Sequence, residues 1–159
     1  MVNLVRVDER MLHGQVAMTW VSAVSPNAIL IANDDAASNE MSKMAFKMAK
    51  PAGVKLAIKS IDEAAVLLNN PKSKEIKIFV ITRTIADTLR LAKQTSEIHK
   101  VNIGGVKKRE GAKQISKTTF LNDEDIDNLK ALSDLVEEIE IRMVPSDQKV
   151  DVKKLIKER

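Results

Sequence analysis

The chain has no cysteine and no tyrosine among its 159 residues, and its aromatic side chains are one tryptophan and three phenylalanines. Without cysteine there is no disulfide framework, no thiolate metal site and no cysteine nucleophile. That usage suits a reducing cytoplasm. Trp20, Phe46, Phe79 and Phe120 are too few and too scattered for a base-stacking platform. Nucleic acid is therefore not the expected partner, although 26 Lys and Arg outnumber 22 Asp and Glu. The basic surplus gathers at Lys107, Lys108, Arg109 and Lys113 and again from Lys149 to Arg159. Such faces suit an acidic protein partner or a phosphate. No stretch approaches the ~20 apolar residues of a membrane span. Arg6, Asp8, Glu9 and Arg10 interrupt any signal-peptide core. The expectation is a cytoplasmic protein, a single domain over 1–159, that inserts no segment into the membrane and meets it only through partner proteins.

Strand-like and helix-like segments alternate along the chain. Apolar runs predict strands at 2–7, 28–32, 54–58, 76–81, 100–103, 115–121 and 138–144, the last near a sheet edge. Helices are expected at 13–24, 38–50, 61–68, 85–92, 123–135 and 150–157. Met41, Met44, Ala45 and Met48 recur at helical spacing and read as a core-facing stripe. This alternation points to an α/β fold with an open, mostly parallel sheet of about seven strands and helices on both faces. Ligands in such folds bind beyond the carboxyl ends of the strands. That rim would carry the loop holding His13, Asn33-Asp34-Asp35, Thr82-Arg83-Thr84 and Gly104-Gly105.

Only two histidines occur, and His13 has the richer setting. It lies between a strand and a helix in Arg6-Val7-Asp8-Glu9-Arg10-Met11-Leu12-His13-Gly14-Gln15. Imidazole, with an ordinary pKa of about 6.5, is a nucleophile at neutral pH. Arg6 and Arg10 offer forked donors that match phosphate oxygens. The amides of His13, Gly14 and Gln15 at a helix start would add an anion cradle, and Gly14 lets phosphate approach the backbone. Asp8 either accepts from the ring N–H or orients Arg10. A ledge of Met11 and Leu12 beside Arg83 and Lys107 would serve partner docking, unless the two apolar residues are simply buried.

The pattern Arg6-x-Asp8-x-Arg10-x-x-His13-Gly14-Gln15-Val16, followed by Trp20, resembles the enzyme IIB component of the mannose/fructose/sorbose family of the bacterial sugar phosphotransferase system. The likeness extends to Ala32-Asn33-Asp34, Val101-Asn102-Ile103-Gly104-Gly105 and Val144-Pro145-Ser146. The resemblance implies that His13 receives a phosphoryl group on Nδ1 from a phosphohistidine of the IIA component. It would pass the group to a sugar entering through the membrane IIC and IID components. That sugar would be N-acetylgalactosamine, or mannose, fructose or sorbose. Arg10 matches the family's phosphate-binding arginine, whereas Asp8 and Gln15 match motif positions of less defined role. No cofactor or metal is implied, and one antiparallel strand is expected in the sheet.

Two rivals fit less well. A histidine phosphatase or phosphomutase carries Arg immediately before its phosphorylated His and a second catalytic His, yet here Leu12 precedes His13 and only His99 remains. A non-catalytic binding module would not need so patterned a loop. His99 reads as a surface residue. Asp34 and Asp35 resemble a magnesium-binding acidic pair, but they follow the wrong strand and lack a phosphorylatable aspartate.

Overall fold

The computed structural model describes residues 1–14 and 16–157. Its strands are β1 (Val2–Asp8), β2 (Ala28–Ala32), β3 (Lys55–Lys59), β4 (Ile78–Thr82), β5 (Lys100–Gly105), β6 (Lys113–Gln114), β7 (Phe120–Leu121), β8 (Glu138–Ile141) and β9 (Val150–Asp151). The helices are α1 (Val21–Val24), α2 (Asp34–Ala37), α3 (Glu40–Ala49), α4 (Ile61–Asn69), α5 (Ile85–Ala92), α6 (Asp123–Ser133) and α7 (Val152–Lys157). A seven-stranded sheet runs in the order β3-β2-β4-β1-β5-β8-β9, parallel except for the β8–β9 pair.

Composition explains the middle of the sheet. β2 and β4 are continuous apolar runs, which suits strands covered on both faces. Alternate residues then separate into two cores. Val5, Val7, Leu30, Val80 and Val101 pack on one side, and Ile29, Ile31, Phe79 and Ile81 pack on the other with Trp20 and Phe46. Helix starts are fixed by side-chain caps: Asn39 on α3, Ser60 on α4, Thr84 on α5 and a reciprocal Asn122–Asp125 box on α6.

Several expectations are corrected. Segment 115–121 is no strand of the main sheet; β6 and β7 form a separate two-stranded hairpin flanking it. The seventh strand is instead β9, taken from residues expected to begin the last helix, and it displaces β8 from the edge. The methionine stripe of α3 has the right period and the wrong phase. Phe46 faces the sheet, while Met41, Met44 and Met48 are 83%, 65% and 83% exposed. Burying one large ring outweighs burying flexible thioethers, and the helix is turned accordingly. The helix expected over 13–24 is a π-helical turn at Val16–Trp20 that runs into the short α1.

Asp34 joins three elements on the rim. It accepts from the Ile61 amide at the start of α4 (2.9 Å) and from Arg90 of α5 (2.7 Å). The Arg90 hydrogen bond, then the Ile61 amide, hold its carboxyl below the usual carboxylate value. Its contribution is therefore present in full above the unfolded-state value and is lost as pH falls through the lower folded value. Asp34→Ala should cost about 1 kcal/mol, the worth of a helix cap. The cost should be seen in urea midpoints at about pH 7 and shrink at about pH 3.

Candidate active site

The centre of the sheet ends in a charged cluster. Arg6 and Asp8 lie two residues apart on β1 and so share a face. Both are buried, at 2% and 4% exposure. The chain turns sharply after Asp8. Its carbonyl accepts from the Met11 amide at 2.8 Å, Met11 adopts φ 56°, and Asp8 Oδ1 accepts from the Arg10 amide at 2.9 Å. The turn drives Met11 and Leu12 into the core beside Trp20 and Phe46 and brings His13 back over β1. His13 Nε2 lies 3.1 Å from Asp8 Oδ2. Among the described residues none bonds His13 Nδ1.

Arg6 lies beneath this pair. Its Nη2 donates to Asp8 Oδ2 at 3.2 Å and to the Met143 carbonyl at 3.1 Å. Its Nη1 donates to Asn102 Oδ1 and to the Arg142 carbonyl. The guanidinium also lies 4.8 Å from the Trp20 ring centroid. Burial lowers the Arg6 pKa from its ordinary value, while Asp8 and Glu140 pull it back up. An arginine so placed keeps its proton and neutralises Asp8.

Above the cluster is a hollow of about 300 Å³ lined by Arg10, His13, Gly104, Gly105, Lys107 and Lys108 among others. Arg10, Lys107 and Lys108 are exposed, which gives the hollow a basic mouth. Gly104 forms part of its floor because a Cβ there would fall on the Arg6 guanidinium. Arg6 is bound on both nitrogen arms and cannot swing aside without stranding Asp8. Gly104→Ala should therefore destabilise the fold by about 3 kcal/mol, as breaking a buried ion pair does, read as a lowered Tm.

The expected site residues divide accordingly. Arg10, Asp8, His13 and Lys107 come together around the hollow, whereas Gly14, next to His13 in the chain, lines a separate hollow with Met18 and Pro51. Arg6, expected to offer its fork to phosphate, is spent on Asp8, Asn102 and two carbonyls. Met11 and Leu12 form no docking ledge, since they are 7% and 3% exposed. Arg83 faces Asp35 at 3.7 Å and lines a neighbouring hollow of about 340 Å³, away from His13. Gln15 lies outside the described residues. His99 is exposed and contacts Glu137 at 2.9 Å. Among the described residues, no three His, Asp or Glu side chains converge as a metal site.

Sequence reasoning passed over Asn102 and Glu140 as parts of this site. Asn102 had a signal, a polar residue between the apolar Val101 and Ile103, whereas Glu140 alternates with Glu138 and Arg142 and looked like one more solvent-facing charge.

Comparison with known proteins decides the family. The family model described as the phosphotransferase (PTS) system sorbose subfamily IIB component matches residues 2–159. The chain belongs to this family. A probable phosphotransferase enzyme IIB component of Streptococcus pyogenes serotype M6 is 34% identical, over 98% of this chain and 99% of that protein. The crystal structure of the IIBSor domain of the Klebsiella pneumoniae sorbose permease superposes with TM-score 0.91 at 31% identity, covering 99% of this chain and 97% of that one. The mannose-specific EIIAB component of Escherichia coli K12 is 28% identical over 98% of this chain, which spans 48% of that longer protein. This IIB component is a phosphotransferase of sugar transport and works with IIA and sugar-specific membrane components. No described helix is long and apolar enough to cross a membrane.

Proposed function

We propose that His13 of this IIB component is the phosphoryl carrier and Nδ1 its accepting atom. The observation that carries the reading is the pairing of Nε2 with an Asp8 carboxylate that Arg6 and the Arg10 amide already hold. A carboxylate only accepts, so the ring proton resides on Nε2 and the lone pair on Nδ1. In the first step this lone pair attacks the phosphorus of a IIA phosphohistidine. The N–P bond of the donor breaks and its ring nitrogen recovers the electron pair. The Nε2 proton stays in place, so the phosphorylated ring is cationic and faces Asp8. In the second step a sugar hydroxyl oxygen attacks phosphorus, the N–P bond breaks with its electron pair returning to Nδ1, and the hydroxyl proton passes to solvent.

Transfer through a loose transition state needs mainly alignment and neutralised charge. Arg10 and Lys107 at the mouth of the hollow supply that charge. Arg10→Ala should slow transfer by at least ~100-fold, the worth of one charge-assisted contact made in the transition state, in single-turnover kinetics.

The activity is then that of a protein-Nπ-phosphohistidine–sugar phosphotransferase, with IIC and IID presenting the sugar and holding the protein at the inner face of the membrane. The EIIAB arrangement of the mannose-specific relative supports IIA as donor. Sugar choice rests with the membrane components, so N-acetylgalactosamine, mannose, fructose and sorbose are all to be assayed. Incubation with phosphorylated IIA should load acid-labile, base-stable phosphate that membranes bearing IIC and IID discharge to sugar. Acid-stable phosphate, or none, would refute the reading.

A further inference from the structure

Beneath His13 lies a buried carboxylate to which the transfer steps assign no role. Glu140 of β8 is 3% exposed, and its two oxygens accept from Arg142 Nε and Nη2, each at 3.0 Å. Arg6, Asn102 and Glu140 are register partners on β1, β5 and β8, so they form one row across three parallel strands. With Asp8 and Arg142, the row sequesters two charges of each sign. Taking such groups out of water costs several kcal/mol per ion, which makes stability a poor reason for their presence.

We infer that this row fixes the direction of every hydrogen bond from Glu140 to His13, making Glu140 and Asn102 positioning residues for the Nε2–H tautomer. The inference rests on His13 as the phosphoryl carrier. Glu140 and the Arg142 carbonyl can only accept, so Asn102 must turn its Nδ2 toward them, at 3.0 and 3.2 Å. Asn102 Oδ1 then faces Arg6 and accepts from Nη1. A guanidinium only donates, and with Nη1 anchored there its Nη2 meets Asp8 Oδ2 at 3.2 Å. That contact holds Oδ2 where His13 Nε2 reaches it, at 3.1 Å. Trp20 stiffens the row: its ring centroid lies 4.8 Å from Arg6 and 5.2 Å from Arg142, and its Nε1 donates to the Met143 carbonyl at 2.9 Å. Were Asn102 reversed, its Nδ2 would confront Arg6 donor to donor, and Arg6 would release Asp8.

Glu140→Gln removes the side chain that can only accept while keeping size and shape. The test reads the His13 ring nitrogens by 15N NMR on unphosphorylated protein, at a pH where the ring is neutral, together with the rate of phosphoryl uptake from IIA. The expected result is a mixture of ring tautomers and uptake slowed by about tenfold, as for the loss of an outer partner that orients a functional histidine. Arg142→Gln breaks the same ion pair and is the structural control. It should lower Tm comparably and leave the tautomer and the uptake rate unchanged. Should Glu140→Gln not fold, the double change Asn102→Asp with Glu140→Gln conserves net charge and gives Arg6 an acceptor-only neighbour. It should show Nε2–H alone. Wild-type ring signals and uptake in Glu140→Gln, equal shifts in Arg142→Gln, or a tautomer mixture in the folded double variant would overturn the inference. Because the ring signals need no phosphate, that outcome is separate from whether His13 carries it.

Discussion

His13→Ala should abolish both uptake of phosphate from IIA and sugar phosphorylation, while His99→Ala leaves both at the wild-type rate. The effect is all or nothing because the covalent intermediate has no other seat. Removing a nucleophile eliminates the route that splits one difficult transfer into two. His99 is exposed and pairs with the likewise exposed carboxylate of Glu137, which no arginine holds as Arg6 holds Asp8 among the described residues. His13→Ala should fold normally, since the ring is at the rim and its partner, Asp8, keeps Arg6 and the Arg10 amide. A Tm close to that of the parent chain would show that the loss is chemical. Residual labelling in His13→Ala would remove the imidazole from the mechanism.

Asp8→Asn is the second large effect expected, a fall of about 10³-fold in the transfer rate, comparable to other cases in which a histidine is given the wrong tautomer. The amide cannot reproduce what the carboxylate does. Oδ1 now accepts from the Arg10 amide, and Oδ2 meets both Arg6 and His13. An asparagine that turns its nitrogen toward His13 confronts the Arg6 donor and favours the proton on Nδ1, where phosphorus must arrive. Turned the other way, it confronts the Arg10 amide and loosens the loop. In both orientations Arg6 loses its counter-charge. Single-turnover uptake from phosphorylated IIA measures the fall, and a rate within tenfold of the parent would separate Asp8 from the chemistry.

Much of the site was legible because its parts are close in sequence. Arg6 and Asp8 lie on one strand face, and the turn that follows presents Arg10 and His13 within a few residues. The apolar runs of β2 and β4 likewise announced the centre of the sheet. What could not be read was long-range. Arg6 and Asn102 are separated by 96 positions and Asn102 and Glu140 by 38, and only the strand order makes them neighbours. A strand read as lying near an edge gives Glu140 a solvent face, whereas β9 covers β8 and helps bury it. The Arg6 fork was read as a phosphate binder, but the residue is buried and its fork is taken by Asp8, Asn102 and two carbonyls instead. For Met11 and Leu12 a docking ledge and burial were both open, and the positive φ of Met11, which reverses the chain, sends both inward. For α3 the periodicity was right, and Phe46, a single residue, set which face turned to the sheet.

In the proposed mechanism one ring nitrogen, Nδ1 of His13, carries the phosphoryl group. Phosphorylated from IIA with 15N-labelled histidine in the chain, the intact protein should show phosphorus coupled to Nδ1 of His13 and a proton retained on Nε2. Phosphorus on Nε2 of His13, on His99 or on any other side chain would contradict the account.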